Sequence, residues 1–580
     1  MQILRFLLQP RVRWMICWLI ALGAAGIVIV AAWRAFNEVE RGDGNHGHAT
    51  IDFGGQWLMG RMVVEGQGRR LYRRSTLRLV AQHNYPAGVE DPKAEKSDAE
   101  SLMDWLAGTD DPEAPNVLAS LLSPLAAHNP LDETAVLASA QSMWTEDWLE
   151  HATAPRIGGA LYPPIHALYY APLSLLRPQT AYRVMQGFIL VLVFFTGWVI
   201  QRMTEGRVWW PVASLFVMMF PGFAGCITLG QNGMFIFTLV LLGWWQLMRG
   251  REALAGLCWG LLAFKPVWAA AFFLVPLLTT RWRMAASMAV TGIVQIVATL
   301  PVVGWENWRN WLHIGQIAAE EYKRQENWIV LSRDLLGIPR RWLMTFEGGL
   351  AKDLVWRTGD IPVTVDGITE NPWGHLLLDI LGWGLWGAVL AVTLLVVWRC
   401  RQRRKELTGV FPAFMLSGAI LTCYHFMYYD FLVAGLPMLL LFTEPRRYFQ
   451  VHFLSGSEPP SLGSGAIAAE MQRYYQPSLE DLTPPPLPLL PHGRLPRWVV
   501  APIPPLLLFL MLAVPALSCL LDPSYHFPPW ETLILLVLWA WCGYRLWKRA
   551  NHRVTENTEK KETEKTIEKK SNAPTTELSL

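Results

Sequence analysis

The chain has 580 residues, 52% of them apolar and 17% charged, with a formal net charge of +3 at pH 7. An apolar share of that size, gathered into runs, excludes an ordinary soluble globule and points to a polytopic membrane protein. The near-balanced charge excludes a basic nucleic-acid-binding surface as the organising feature, so no nucleic-acid partner is expected.

A hydrocarbon core of ~30 Å takes about 20 apolar residues in helix. Runs of this kind fall at 14–33, 179–200, 208–228, 232–248, 284–303, 374–398, 410–428, 499–521 and 530–547. The first has an apolar core of about 19 residues, longer than the usual 7–15 of a signal peptide, and reads as a retained anchor. Three further runs are compromised: 162–176 is short and carries prolines, 253–279 holds Lys265-Pro266 at its centre, and 430–443 is brief. Short or broken apolar segments suit re-entrant or cavity-lining helices, because backbone exposed to lipid must be covered by protein or by a water-filled cleft.

Between the runs lie segments of different composition. Residues 34–160 form a long outer loop, opening near 52–66 with an expected amphipathic interfacial helix and continuing through a loosely ordered Asp-, Glu-, Pro- and Ala-rich insertion around 84–116. Residues 304–373 form a second outer loop. Residues 444–498 read as a cytoplasmic linker with the Pro-rich run Thr483-Pro484-Pro485-Pro486, followed by a C-terminal transmembrane hairpin at 499–547. The Lys- and Glu-rich tail at 548–580 is expected to be disordered.

Lys and Arg set the orientation. Arg11 and Arg13, Arg202 and Arg207, Arg249 and Arg251, Arg281 and Arg283, and the cluster from Arg399 to Lys405 flank one side of the runs, whereas the connections near 229–232, 428–431 and 522–529 carry neither residue. Alternation is consistent if 253–279 and 410–443 are each hairpins, which gives roughly 12 membrane segments with both termini cytoplasmic. The seven cysteines sit in or beside apolar runs, so no disulfide framework is implied, and no metal-ligand spacing is visible. Most of the 30 tryptophans read as an interfacial aromatic belt.

On this topology the unusual polar residues collect on the non-cytoplasmic face. Asp52 stands shortly after the first run, where a carboxylate reads either as a helix cap or as a general base at the lipid–water boundary. Lys265 is an intramembrane cation that binds an anionic head group, pairs with a carboxylate or snorkels to the interface. Gln231 and Asn232 cap the helix that follows them or donate to a phosphate or sugar. His425, Tyr429 and Asp430 share a hairpin tip, with Asp430 orienting an acceptor or pairing with Lys265. Arg61 offers a guanidinium to phosphate or to lipid head groups, and Tyr162 opens a Tyr-Pro-Pro segment.

Taken in order, Asp52-Phe53, Leu71-Tyr72, Leu161-Tyr162-Pro163-Pro164, Gly230-Gln231-Asn232, the stretch from Gly256 to Lys265-Pro266, and the patch from His425 to Pro437 resemble the motif series of glycosyltransferase family 87. The resemblance spans about 14 to 443 and implies an all-α polytopic membrane protein of GT-C-like architecture. It implies a transferase that moves a hexose, mannose in that family, from a polyprenyl-phosphate donor to an extracytoplasmic glycan or glycolipid acceptor. An inverting displacement with Asp52 as base, no cofactor and no metal, and a bacterial inner-membrane location follow from it. The chain departs from the family in Gln56-Trp57 after the Asp-Phe pair, in a lengthened first loop, in His166 where an apolar residue is common, and in the C-terminal hairpin. Two other classes fit parts of the sequence: a transporter or lipid flippase, which also uses broken helices and intramembrane charge, and a non-catalytic scaffold built on the loops and linker.

Overall fold

The computed structural model describes residues 10–34, 44–45, 47–50, 52–85, 161–324, 326–347, 350–354, 363–365, 368–370, 372–442, 503–520 and 529–571. The insertion expected around 84–116 (beyond residue 85) and the linker at 444–498 lie outside them.

Helix α1 (Pro10–Arg34) contains the first apolar run. The expected interfacial helix is α2 (Asp52–Val64), but it is not amphipathic: Phe53 to Gly60 are all buried, so it lies within protein instead of along a lipid surface. A helix apolar all round belongs in a core, and α2 meets one against α4 (Pro164–Tyr170), the short helix of the Tyr-Pro-Pro segment. The amphipathic α3 (Arg74–Asn84) follows α2 and packs on it.

Helix α5 (Pro178–Met203) spans the next run intact. The run at 208–228 does not. It forms α6 (Trp210–Met219) and α7 (Phe223–Leu229), bent by 76°. Pro221 lacks a backbone N–H to continue the helix, and Gly222 adopts φ +92°, a left-handed conformation that favours glycine. Helix α8 (Gly233–Met248) is unbroken. At Lys265-Pro266 the expected break is present: α9 (Glu252–Gly260) runs into a tight turn at Leu261–Phe264, and α10 (Pro266–Leu278) restarts with proline at its first position. Helix α11 (Trp282–Arg324) is two helices joined at Gly304, where the backbone is non-helical, so the apolar run ends at its expected boundary while helix continues into the second outer loop.

That loop contains α12 (Glu326–Leu331), α13 (Gly337–Leu343) and two antiparallel hairpins, β1 (Met344–Glu347) with β2 (Leu350–Leu354) and β3 (Val363–Val365) with β4 (Ile368–Glu370). Among the described residues the apolar runs are helical, and strands occur only in this segment, with β3 and β4 rich in β-branched residues. Helix α14 (Pro372–Arg399) is a full span. The run at 410–428 yields a shorter helix than expected, α15 (Val410–Leu421), and the chain then runs non-helically to the tight turn Tyr428–Ala434 and α16 (Gly435–Phe442). The C-terminal hairpin is α17 (Ile503–Leu520) and α18 (Trp530–Ser571). Helix α18 continues to Ser571 through the segment expected to be disordered, whose Glu and Lys are good helix formers.

Among the described residues four helices are long and apolar enough to cross a membrane, or five if α6 and α7 form one bent span. Helices α8, α9, α10, α15 and α16 are apolar but shorter. One continuous core runs through α2, α5, α8, α10, α15 and α18. Several tryptophans assigned to a belt belong to it: Trp244 is 1% exposed, whereas Trp305 faces outward at 64%.

Candidate active site

The site forms where the start of α2, the turn between α7 and α8, the α9–α10 break and the Tyr428–Ala434 turn converge. Asp52 is the first residue of α2, where the partial positive charge of the helix end favours a carboxylate. One of its oxygens lies 2.5 Å from Nδ1 of His48, a turn earlier on Gly47–Ala49. The other accepts from Nε2 of Gln231 at 3.5 Å. Asp52 keeps 30% of its side chain exposed, whereas His48 is buried.

Gln231 and Asn232 extend this contact into an amide network. The Tyr162 hydroxyl donates to Gln231 Oε1 at 2.7 Å, and Gln56, one turn along α2, donates to the same oxygen at 3.4 Å. Asn232 Nδ2 reaches Gln56 Oε1 at 3.4 Å and His166 Nε2 at 2.9 Å. The His166 ring stacks on Tyr162 with centroids 4.2 Å apart. Expected site residues Asp52, Tyr162, Gln231 and Asn232 are therefore brought together, with Gln56 and His166 as members that the sequence marked only as departures from a pattern.

Lys265 and Asp430 make the second group. The ammonium donates to both carboxylate oxygens of Asp430, at 2.7 and 2.5 Å, and sits 5.1 Å from the centre of the Tyr429 ring. Asp430 is fully buried and also accepts from the Met427 backbone N–H at 3.3 Å. Two of the three ammonium protons are thus committed to one carboxylate, and the pair resolves the cost of charge within an apolar segment. The two groups adjoin: the His166 ring lies 5.3 Å from that of Phe264, the residue before Lys265. Gly233 lets the turn approach α8, since a Cβ there would lie 2.3 Å from the Tyr429 carbonyl oxygen and 2.7 Å from Cys226 Sγ.

His425 stands at the edge of the same turn with Nδ1 3.2 Å from Asp334 of the second outer loop. Asp334 is buried and accepts further from the Ser332 hydroxyl at 2.5 Å and the Gly337 N–H at 2.8 Å. Burial by itself raises its pKa, but the hydrogen bonds and charge of His425, with those from Ser332 and Gly337, outweigh it and hold the carboxyl below its ordinary value. Arg61 is not gathered in. It lies nine residues along α2, about 13 Å of helix from Asp52, and bonds Glu65 at 2.6 Å and the Ser174 carbonyl at 3.3 Å. Among the described residues no group of three or more His, Cys, Asp or Glu is placed to hold a metal ion.

A carboxylate with an exposed edge, an amide network beside it and a buried cation thus meet on one apolar helical scaffold. Residues 160–424 match the model of glycosyltransferase family 87, the family that the motif series resembles. The match supports a glycosyltransferase, and the long apolar helices support a membrane protein. Asp52 lies well before the matched residues, and the turn from His425 to Asp430 begins immediately after them. No curated protein and no solved structure matches the chain.

Proposed function

We propose that the protein transfers a hexose, mannose by family resemblance, from a polyprenyl-phosphate donor to a glycan or glycolipid acceptor on the extracytoplasmic face of a bacterial inner membrane. The observation that carries this reading is the placement of Asp52: a partly exposed carboxylate, held by His48 and Gln231, in the same helical core as the buried Lys265–Asp430 pair. A donor whose lipid tail stays in the bilayer presents its phosphate and sugar at that depth, and no nucleotide-binding domain is needed.

In the proposed reaction Asp52 accepts the proton of the acceptor hydroxyl as that oxygen bonds to the anomeric carbon. The bond from that carbon to the phosphate oxygen breaks, its electron pair stays on the phosphate, and the lipid phosphate leaves from the opposite face. Configuration is inverted and Asp52 ends protonated. Lys265, steadied by Asp430 and Tyr429, is assigned to the departing phosphate through its remaining N–H. Gln231, Asn232 and Tyr162 are assigned to sugar or phosphate oxygens, and His425 to the rim. Arg61, committed to Glu65 and Ser174, is left a structural part. The short helices α8, α9, α10, α15 and α16 fit the proposed set of roughly 12 membrane segments, both termini cytoplasmic, as re-entrant or cavity-lining pieces.

The test is sugar transfer from radiolabelled polyprenyl-phosphate-mannose in membranes carrying wild type or Asp52→Asn at matched expression. Wild-type transfer that falls by about 10²–10⁴-fold in the variant is expected for loss of a general base. Equal transfer by both would leave Asp52 a helix cap, and labelled substrate moved across the bilayer without transfer would assign the chain to the transporters.

A further inference from the structure

The C-terminal hairpin lies outside the family match, yet it is built into the site. At the start of α18, Glu531 bonds Arg333 Nε at 3.0 Å, and both side chains are buried. The next residue, Thr532, donates its hydroxyl to the Arg333 carbonyl at 2.7 Å. Farther along, Trp539 donates to Thr393 of α14 at 3.0 Å and stacks on Phe414 of α15, so the helix is fixed along its length and not only at its tip.

Arg333 carries that attachment to the site. Its backbone N–H donates to the Phe426 carbonyl at 2.9 Å, and Ser332 and Met427 form an antiparallel bridge, which ties the second outer loop to the segment entering the Tyr428–Ala434 turn. Its guanidinium lies 5.9 Å from the centre of the Tyr428 ring. Tyr428 packs so tightly on α7 that a Cβ at Gly225 would fall 2.5 Å from its ring, and it contacts Tyr429, the ring under the Lys265 ammonium. A buried guanidinium needs a counter-charge to stay ordered. The residue that supplies one is 198 positions away in sequence, on a helix outside the family match.

We propose that Glu531 is a positioning residue: by neutralising and orienting Arg333 it fixes the 425–430 turn, so that α18 is an integral part of the donor-phosphate side of the site. The assignment of that turn to the donor rests on the function proposed above; the mechanical coupling does not.

The experiment uses the full chain in lipid nanodiscs, as wild type, Glu531→Gln and Glu531→Asp. Backbone hydrogen exchange is followed in peptides covering 425–431, with α5 peptides as reference. In Glu531→Gln exchange at 425–431 is expected to quicken by about tenfold or more while α5 is unchanged, with Glu531→Asp restoring most of the protection, as local release of a buried charge pair requires. Unchanged exchange at 425–431 overturns the proposal, and so does an equal rise in α5, which would mean general destabilisation. Steady-state transfer from polyprenyl-phosphate-mannose is measured on the same samples: the donor KM rises about tenfold in Glu531→Gln, a loss of roughly 1.4 kcal/mol of binding, and the acceptor KM holds. Equal rises in both KM values count against it. If the wild type transfers no mannose, the donor assignment fails, and the exchange result still decides the coupling.

Discussion

Lys265 and Asp430, 165 positions apart in sequence, neutralise one another inside the helical core, with the ammonium on both carboxylate oxygens and the carboxylate fully buried. Removing one partner of such a pair leaves an uncompensated charge, whereas removing both can be close to neutral. Lys265→Met is therefore expected to destabilise the protein by about 3–5 kcal/mol. The double variant Lys265→Met with Asp430→Asn recovers most of that loss, since Asn still accepts from the Met427 N–H. Transfer stays abolished in both. Thermal unfolding in detergent beside a transfer assay checks this, and a double variant that regains activity would remove Lys265 from the chemistry.

The contact between His48 and Asp52 bears on the base itself. A hydrogen bond to one carboxylate oxygen fixes the direction in which the other faces, as a base oriented by a third group requires. Under the proposed mechanism His48→Ala lowers kcat by roughly 10-fold or more with little change in donor KM, because orientation at the reacting proton is lost. His48→Asn, which can still donate, recovers part of it. Equal loss in both variants, accompanied by a fall in unfolding temperature, would make the contact purely structural.

Gly233 tests how closely the turn must sit on α8. A methyl group there would have to displace the Tyr429 carbonyl, which is backbone and cannot swing away. Gly233→Ala is expected to cost about 1–3 kcal/mol through overpacking and to reduce transfer. Gly187→Ala, within α5 where a Cβ meets nothing within 4 Å, serves as the control and gains helix propensity. Equal unfolding midpoints for the two variants would show that the turn yields.

How much of this was legible in the sequence varies from residue to residue. The break at Lys265-Pro266 was readable because an intramembrane cation and a proline lacking its N–H both oppose a continuous helix. The pairing of Lys265 with Asp430 was one of the alternatives that the apolar surroundings required. His48 stands four residues before Asp52, a spacing that marks neighbours on a helix, yet nothing in composition separates it from a loop histidine. The early end of α15 was invisible. The run was read to 428, yet the helix ends at Leu421, and beyond it Phe426 and Met427 pair with Arg333 and Ser332. Such long-range backbone pairing has no local signature. For the same reason Asp334 and Glu531 were not flagged, since each takes its meaning from a partner far away in the chain. Helix α2 misled in the other direction: it was expected to lie amphipathic at the interface, yet its residues from Phe53 to Gly60 are buried, with Gln56 in the amide network.

Asp334 gives the outer loop a dependence on acid. Its folded-state pKa lies below the ordinary carboxyl value of about 3.9. A carboxyl shifted downward by folding contributes stability that is fully present above its unfolded pKa and is lost as pH falls through the folded one. The contribution of Asp334 is thus complete at neutral pH and fades below about pH 4. In Asp334→Asn the neutral side chain still meets His425 and Ser332, but the pH-linked part is gone. The wild type is expected to exceed the variant in unfolding temperature at pH 7, and the gap to narrow as pH is lowered from about 5 toward 3. Thermal unfolding of both proteins across that range, followed by intrinsic tryptophan fluorescence, measures it. A gap that stays constant with pH would mean that Asp334 works through packing alone, and one that widens in acid would reverse the sign and place its folded pKa above the unfolded value.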